Sequence, residues 1–204
     1  MNMKKWILTA STIAIIFSPL RADAPADGIE RQIVQEINRA RANPPGIADE
    51  LEALRPLYRG KQRALAENLF LDTQEGVAAV DDAIAALRRT PARGPLRWDQ
   101  ALAQSAAELA QAESRSGAYG HGRGANAFAP RIRRHKRRFH EVGEDISYGS
   151  QTARDVVQGL IIDDGVADRG HRKNILDRQF DAAGAACAEH EQLSPACVID
   201  FSGG

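Results

Sequence analysis

The chain is poor in several things that would mark its class early. Only two of its 204 residues are cysteine, too few for a disulfide-dense miniprotein or a four-thiolate zinc site. Aromatic residues make up 5%, so the core must be built mainly from Leu, Ile, Val and Ala. There is no surplus of charge, since 27 Lys+Arg balance 27 Asp+Glu, whereas a wholesale nucleic-acid binder carries a basic excess. No internal repeat or heptad run is present, and beyond residue 26 no apolar run is long enough to cross a membrane. What remains, 43% hydrophobic and 26% charged, is a globular composition sized for one domain.

The balance of charge is not evenly spread. Residues 1–26 read as a secretory signal: Lys4 and Lys5, an apolar run from Trp6 to Leu20, then small residues. Pro25 disfavours cleavage after Ala24, so Ala24-Pro25-Ala26 is the expected site. The run contains Pro19 and falls short of the roughly 20 residues of a membrane anchor. Cleavage removes Lys4, Lys5, Arg21 and Asp23, taking the 27 cations to 24 and the 27 acids to 26. The chain is therefore expected to be exported, to the periplasm or beyond, without a lipobox cysteine near residue 20. Export gives Cys187 and Cys197 a meaning. Each lies in an apolar, strand-like stretch, and in an oxidising compartment they are expected to pair and staple two strands. A thiol nucleophile or a pair of metal ligands is the alternative, without a neighbouring His-rich motif to favour it.

Apolar periodicity places helices early and strands late. Ile29, Ile33, Ile37 and Ala40 form a helical stripe, stopped by Asn43-Pro44-Pro45-Gly46. A second helix is expected from about Ile47 to Arg55, then a polar connection opening at Gly60-Lys61. Val77, Val80, Ile84 and Leu87 mark a third helix. Asp99 caps a fourth, alanine-rich with Leu102, Ala106, Leu109 and Ala110 on one face, where another element can approach closely. From Gly117 to His140 periodicity vanishes, which reads as a surface loop with one short helix. Val156 to Ile162 read as a helix broken near Gly165. Ala182–Cys187 and Ala196–Phe201 read as an antiparallel hairpin around Glu189–Pro195. The whole is an α+β domain with a small sheet.

Five histidines are present: His121, His135, His140, His171 and His190. His121 stands between glycines, and His171 enters a helix in Gly170-His171-Arg172-Lys173-Asn174. Between them lies Gly143-Glu144-Asp145-Ile146. Two histidines and a carboxylate brought together can ligate Zn²⁺ or act as acid and base. From spacing alone, surface or structural histidines are the simpler account, because no H-E-x-x-H motif is present. Nor is there a G-x-S-x-G, so a hydrolase here would need a metal-bound water as nucleophile.

Taken in order, Leu96-Arg97-Trp98-Asp99, Gly120-His121, Gly143-Glu144-Asp145-Ile146, Gly170-His171-Arg172-Lys173-Asn174-Ile175-Leu176 and Cys197-Val198-Ile199-Asp200-Phe201 resemble the CAP superfamily. This superfamily holds the cysteine-rich secretory proteins, antigen 5 and the pathogenesis-related class 1 proteins, and its domain is also called SCP. Ile33 to Pro44 is similar to the first helix of bacterial members. The resemblance implies an α-β-α sandwich, with a small antiparallel sheet between helical layers and a central cleft of histidines and acids. It assigns His121, Glu144 and His171 to that cleft, with Asp145 where Asn is usual. A Trp-containing segment expected before Gly-His-Arg is absent, leaving Asp163 or Asp164 to supply the second carboxylate or to cap the next turn. The CAP core is then residues 96–204 completed by the helix at 29–43. Residues 27–95 hold the N-terminal helices, including a helical addition at Thr73-Gln74-Glu75-Gly76.

The resemblance leaves the role of the cleft open. A divalent cation such as Zn²⁺, or a small ligand or lipid, in a non-catalytic binding module is the first expectation. A zinc-dependent, protease-like hydrolase with Glu144 as base is the second. A third uses Arg131, Arg133, Arg134, Lys136, Arg137 and Arg138 as an electrostatic foot on an anionic envelope surface or lipid, against the plainer account of a solvated loop face. Nucleic acid is not expected, since the basic stretch has no interleaved aromatic platform, and a monomer is.

Overall fold

The computed structural model describes residues 28–204, and the signal segment expected at 1–26 lies outside them. The chain opens with α1 (Ile29–Ala42), whose Ile33, Val34, Ile37 and Ala40 stripe is buried. Asn43 then starts α2 (Pro44–Glu52) at once: its side chain accepts the Gly46 N–H, and Pro44 and Pro45 fill the first helical positions. A missing N–H costs nothing there. The expected start near Ile47 is corrected accordingly, because the two prolines open a helix as well as closing one.

The expected polar connection after Gly60 is also corrected. Tyr58–Arg59 (β1), Gln62–Ala66 (β2) and Leu69–Asp72 (β3) form a separate antiparallel sheet in the order β1-β2-β3. Its strands are too short and too exposed to show a clean apolar alternation. Beyond it, α3 (Val77–Arg89) packs against α2.

The main sheet is built from Arg97–Trp98 (β4), Glu141–Tyr148 (β5), Ala182–Ala188 (β6) and Ala196–Gly203 (β7), in the order β4-β6-β7-β5. β4 runs parallel to β6, and the other pairs are antiparallel. The β6–β7 hairpin matches its expectation, with Cys187 opposite Cys197 and a disulfide joining them. β5 carries no strand signal in the sequence: its glycine and three acids mask a strand that forms one edge of the sheet.

Side chains alternate across the sheet. Cys197, Ile199 and Phe201 share a core with α1, α6 (Ala153–Ile162) and, through Ile175, α7 (Gly170–Leu176), with α2 and α3 behind. Val198 and Ile146 turn to the other face, against Ala106, Leu109 and Ala110 of α4 (Gln100–Ser116). Alongside α4 lies α5 (Phe128–His135), a helix in the stretch expected to be mostly loop. Its Ile132, with Phe128 and Phe139, joins Leu102 and Ala182. The result is the α-β-α sandwich. The small residues of α4 do allow close approach: a Cβ at Gly184 would lie 2.1 Å from the Ala103 nitrogen and 2.7 Å from the Asp99 carbonyl oxygen. Asp99 caps α4 through the Ala101 and Leu102 N–H groups.

One buried cation ties α1 to the far end of the chain. Arg41, 2% exposed, donates to the carbonyls of Gly94 (2.8 Å), Ile175 (2.9 Å), Asp177 (2.7 Å) and Phe180 (3.1 Å). Replacing it strands four carbonyls that water cannot reach easily. Arg41→Met is expected to cost about 3 kcal/mol, a melting temperature lower by roughly 6–12 °C. A melting temperature within a degree of wild type would refute this role.

Candidate functional site

Glu144 and Asp145 are consecutive in an edge strand, so they point to opposite faces of the sheet. Each collects its own histidine side of the cleft, and the site wraps around the β5 edge as two linked halves.

The first half faces α4 and α5. His121 sits in the turn after α4, where Gly122 (φ +72) has no room for a side chain: a Cβ there would lie 2.2 Å from the Asn126 carbonyl oxygen. The Gly120 N–H donates to the Tyr148 hydroxyl at 2.7 Å, and that hydroxyl donates to the Glu113 carboxylate at 3.1 Å. His121 Nδ1 meets Glu144 Oε1 at 2.8 Å. The other oxygen of Glu144 accepts from Arg131 Nη2, and Arg131 lies 3.6 Å from Asp200 Oδ1. Burial, then the charges of His171 and Arg131, push the His121 imidazole below its ordinary value. Burial raises Glu113. It also raises Asp200 to about 6, an effect that Arg131 opposes.

The second half faces α6 and α7. Asp163 stands in the left-handed region (φ 59) at the end of α6. From there it accepts the His171 N–H at 3.0 Å and pairs with His171 Nδ1 at 2.6 Å. That bond raises the His171 pKa, with burial opposing it. Asp145 is fully buried, accepts from Asn174 Nδ2 at 2.7 Å through Oδ1, and has no partner at Oδ2. Burial drives its carboxyl to about 8, so at neutral pH it keeps its proton. The residue that stands where Asn is usual thus behaves as a neutral group. Arg172 fixes α7 beneath all this, donating to the Ile161 and Ile162 carbonyls and to Asp82 of α3 (2.6, 3.1 and 3.0 Å).

Each half opens into its own hollow. One of about 640 Å³ is lined by His121, Glu113 and Tyr119. The other, about 550 Å³, runs along β5 past Ile146 and Tyr148 to Asp163 and His171. The two imidazoles are near enough for the charge on one to disfavour charge on the other. Among the described residues, no group of three His, Cys, Asp or Glu side chains is arranged to hold a cation.

Several sequence expectations change. Arg131 is not a surface cation: it is fully buried, because the Glu144 carboxylate lies under α5 and needs a partner there. Arg134 pairs with Glu108, and Lys136 pairs with Asp99 at 2.6 Å, leaving Arg133, Arg137 and Arg138 exposed without an ion pair among the described residues. Asp164 does not pair with a cleft histidine. Its carboxylate accepts the Gln74 and Glu75 N–H groups at 2.6 and 2.7 Å and so ties the approach to α3 onto the end of α6. His135 pairs with Glu108, and His190 is a buried bridge to the Ala118 carbonyl. Sequence reasoning gave no role to Glu113 and Tyr148, which carry no local motif and meet across the packing of α4 on the sheet, nor to Asp200, which lies in a quoted motif but meets Arg131 only in the fold.

The buried Asp145 carboxyl makes a pH prediction. Its folded pKa of about 8 lies above the value of 3.8 for a free side chain. Folding therefore favours the protonated form, and this group costs the fold nothing below pH 4. The cost grows as pH rises from about 4 to about 8 and then levels. Asp145→Asn should remove that cost and stabilise the protein at pH 8 by on the order of a few kcal/mol, with little gain at pH 4. Melting curves of both proteins across that window test it. An equal difference at both ends would sink the idea.

A family model described as the cysteine-rich secretory protein family, CAP, matches residues 82–201. Among solved structures, an extracellular SCP-domain protein from Bacillus anthracis shares 22% identity over 61% of this chain, with a TM-score of 0.45. An outer surface protein from Borrelia burgdorferi shares 17% over 71% (TM-score 0.48), and a cysteine-rich secretory protein from Staphylococcus aureus 12% over 63% (0.43). The chain spans 38% of the length of the Bacillus and Staphylococcus proteins and 98% of the Borrelia one. No curated protein matches it. The family match covers more than half of the chain, including His121, His171 and the five cleft acids Glu113, Glu144, Asp145, Asp163 and Asp200, and the chain belongs to the CAP family.

Proposed function

We propose that the chain is an exported, monomeric CAP-domain binding module whose cleft takes a divalent cation or small ligand, without turning it over. The observation that carries this reading is the commitment of each histidine's Nδ1 to a carboxylate, Glu144 for His121 and Asp163 for His171. That arrangement fixes the ring and leaves Nε2 as the outward donor, the pattern of metal-ligating histidines held by outer carboxylates. The donors fit a cation only as a two-imidazole capture. Glu144 has one oxygen on His121 and the other on Arg131, which suits an outer acceptor better than a ligand. A cation held this way supplies an open Lewis-acidic point for an oxygen or nitrogen donor. The same double engagement counts against the hydrolase reading, which requires Glu144 as a base.

Calorimetric titration with Zn²⁺ tests the proposal. Binding at micromolar levels is expected at pH 7.5, reduced at least tenfold in His121→Ala and in His171→Ala. Because Asp163 raises the His171 pKa, protons compete for that ring first, and affinity should fall as pH drops from 7.5 to 6. No heat of binding in the wild type rules out the cation. Turnover of a peptide or ester substrate that vanishes in Glu144→Gln, with metal retained, would restore the hydrolase.

Arg133, Arg137 and Arg138 support a second reading, since all three are exposed and make no ion pair among the described residues. Attachment to vesicles containing anionic lipid should weaken steeply with salt. It should be lost when the three become serine. Attachment unchanged by that triple substitution removes this surface from consideration.

A further inference from the structure

The segment between the added sheet and α3 is clasped to the turn that carries the second half of the cleft. Asp164 accepts the Gln74 and Glu75 N–H groups, and Glu75 answers by accepting the Gly165 N–H at 2.8 Å. The Glu75 carboxylate also takes both terminal nitrogens of Arg169, at 2.6 and 2.7 Å, in the two-pronged pairing that a guanidinium and a carboxylate favour. Arg169 in turn donates to the carbonyls of Asp163 (2.7 Å) and Val166 (3.2 Å) and to Asp82 of α3 (3.1 Å). The segment is itself anchored. Thr73 donates to the Lys61 carbonyl between β1 and β2, through its N–H at 2.7 Å and its hydroxyl at 2.6 Å. Beside it a Cβ on Gly76 (φ +70) would lie 2.3 Å from the Gly60 carbonyl oxygen.

The turn held in this way runs against the ordinary preference of its residues. Asp163 (φ 59) and Arg169 (φ 56) both stand in the left-handed region and bracket the link from α6 to α7. A residue with a side chain keeps that conformation where its surroundings over-determine it. Here the surroundings include Gln74 and Glu75, which lie outside the matched residues 82–201. Asp163 has little else to aim it. Its carboxylate accepts only from the start of α7, from the N–H groups of His171 and Arg172 and from His171 Nδ1. Its direction therefore follows its backbone, and its carbonyl is held by Arg169.

We propose that Glu75 is a positioning residue of the cleft. Acting through Arg169 and the Gly165 N–H, it keeps the Asp163 carboxylate on His171 and so sets the direction of His171 Nε2. This rests on the reading of the two imidazoles as a joint capture site. The carboxylate behind a ligating imidazole decides how the ring points, and disturbing it weakens the metal. The His121 half is held differently, since Arg131 fixes Glu144 there. Loss of the clasp should release one imidazole and spare the other.

The test follows two protons of His171 by NMR in the disulfide-bonded protein without metal, the Nδ1–H and the backbone N–H that both meet Asp163, and then titrates Zn²⁺. Glu75→Gln should speed the exchange of both at least tenfold and leave the His121 ring signals in place. Arg169→Gly removes the side chain while allowing the left-handed backbone freely. It should show the same tenfold effect, whereas a turn limited by its own strain would tighten. Asp81→Asn breaks the exposed pair between Arg55 and α3 and should change neither proton. Zn²⁺ affinity should fall about tenfold in Glu75→Gln and in Arg169→Gly, and stay at the wild-type level in Asp81→Asn. Wild-type protein that takes no Zn²⁺ removes the cation reading, and proton exchange then decides the clasp by itself. Exchange within twofold of wild type in either clasp variant overturns the proposal. So does faster exchange with Zn²⁺ affinity unchanged, or an Asp81→Asn protein that loosens His171 as much as Glu75→Gln does.

Discussion

The guanidinium of Arg131 is a full charge placed where no water reaches it, and much of the cleft is arranged to meet that charge. Glu144 and Asp200 approach from neighbouring strands, while Ser105 and the Asn126 carbonyl complete the donors' needs from α4 and the turn before α5. An isolated buried cation is prohibitively costly, so these partners are obligatory. In meeting it, α5 is fixed over the sheet and Glu144 is turned so that its second oxygen faces His121. The orientation of the His121 imidazole is thus set by an ion pair the solvent never touches.

The two halves of the cleft reach similar ends by opposite electrostatics. His121 is held by a carboxylate whose charge is already spent on Arg131, and its proton is disfavoured. His171 is held by Asp163, which has no competing cation, and its proton is favoured. Two imidazoles beside one strand edge therefore present different protonation states over the same range of pH. A ligand that spans the edge meets one donor-acceptor ring and one more cationic ring, which gives the cleft a direction.

Legibility in the sequence followed the physics of each element. The apolar stripes of α1, α4 and α6 are long enough to show their period, and their predicted faces are buried. The β6–β7 hairpin is flanked by turn residues and showed equally well. β5 was hidden because three of its eight residues are Gly143, Glu144 and Asp145, whose burial depends on partners from distant segments. The added sheet was hidden because its short strands bury little. Arg131 stands among six basic residues, and nothing in that run distinguishes the one that turns inward from those that stay out. His121, Glu144 and His171 were legible only through the family pattern. Asp163 over Asp164 was decided by backbone geometry at the end of α6, where the left-handed residue aims its side chain back at α7.

The contact at Gly184 extends beyond packing. The glycine touches the first turn of α4, whereas Glu113, which steadies the turn carrying His121, lies near the other end of that helix. About ten residues separate the two, a span of roughly 15 Å along a rigid rod. α4, packed on the sheet along Ala106, Leu109 and Ala110, therefore connects the two places directly. A single added methyl group at residue 184 would tilt the rod, and the displacement would emerge at the mouth of the cleft. Gly184, one of three glycines in the main sheet with Gly143 and Gly203, is in this sense coupled to the site at a distance.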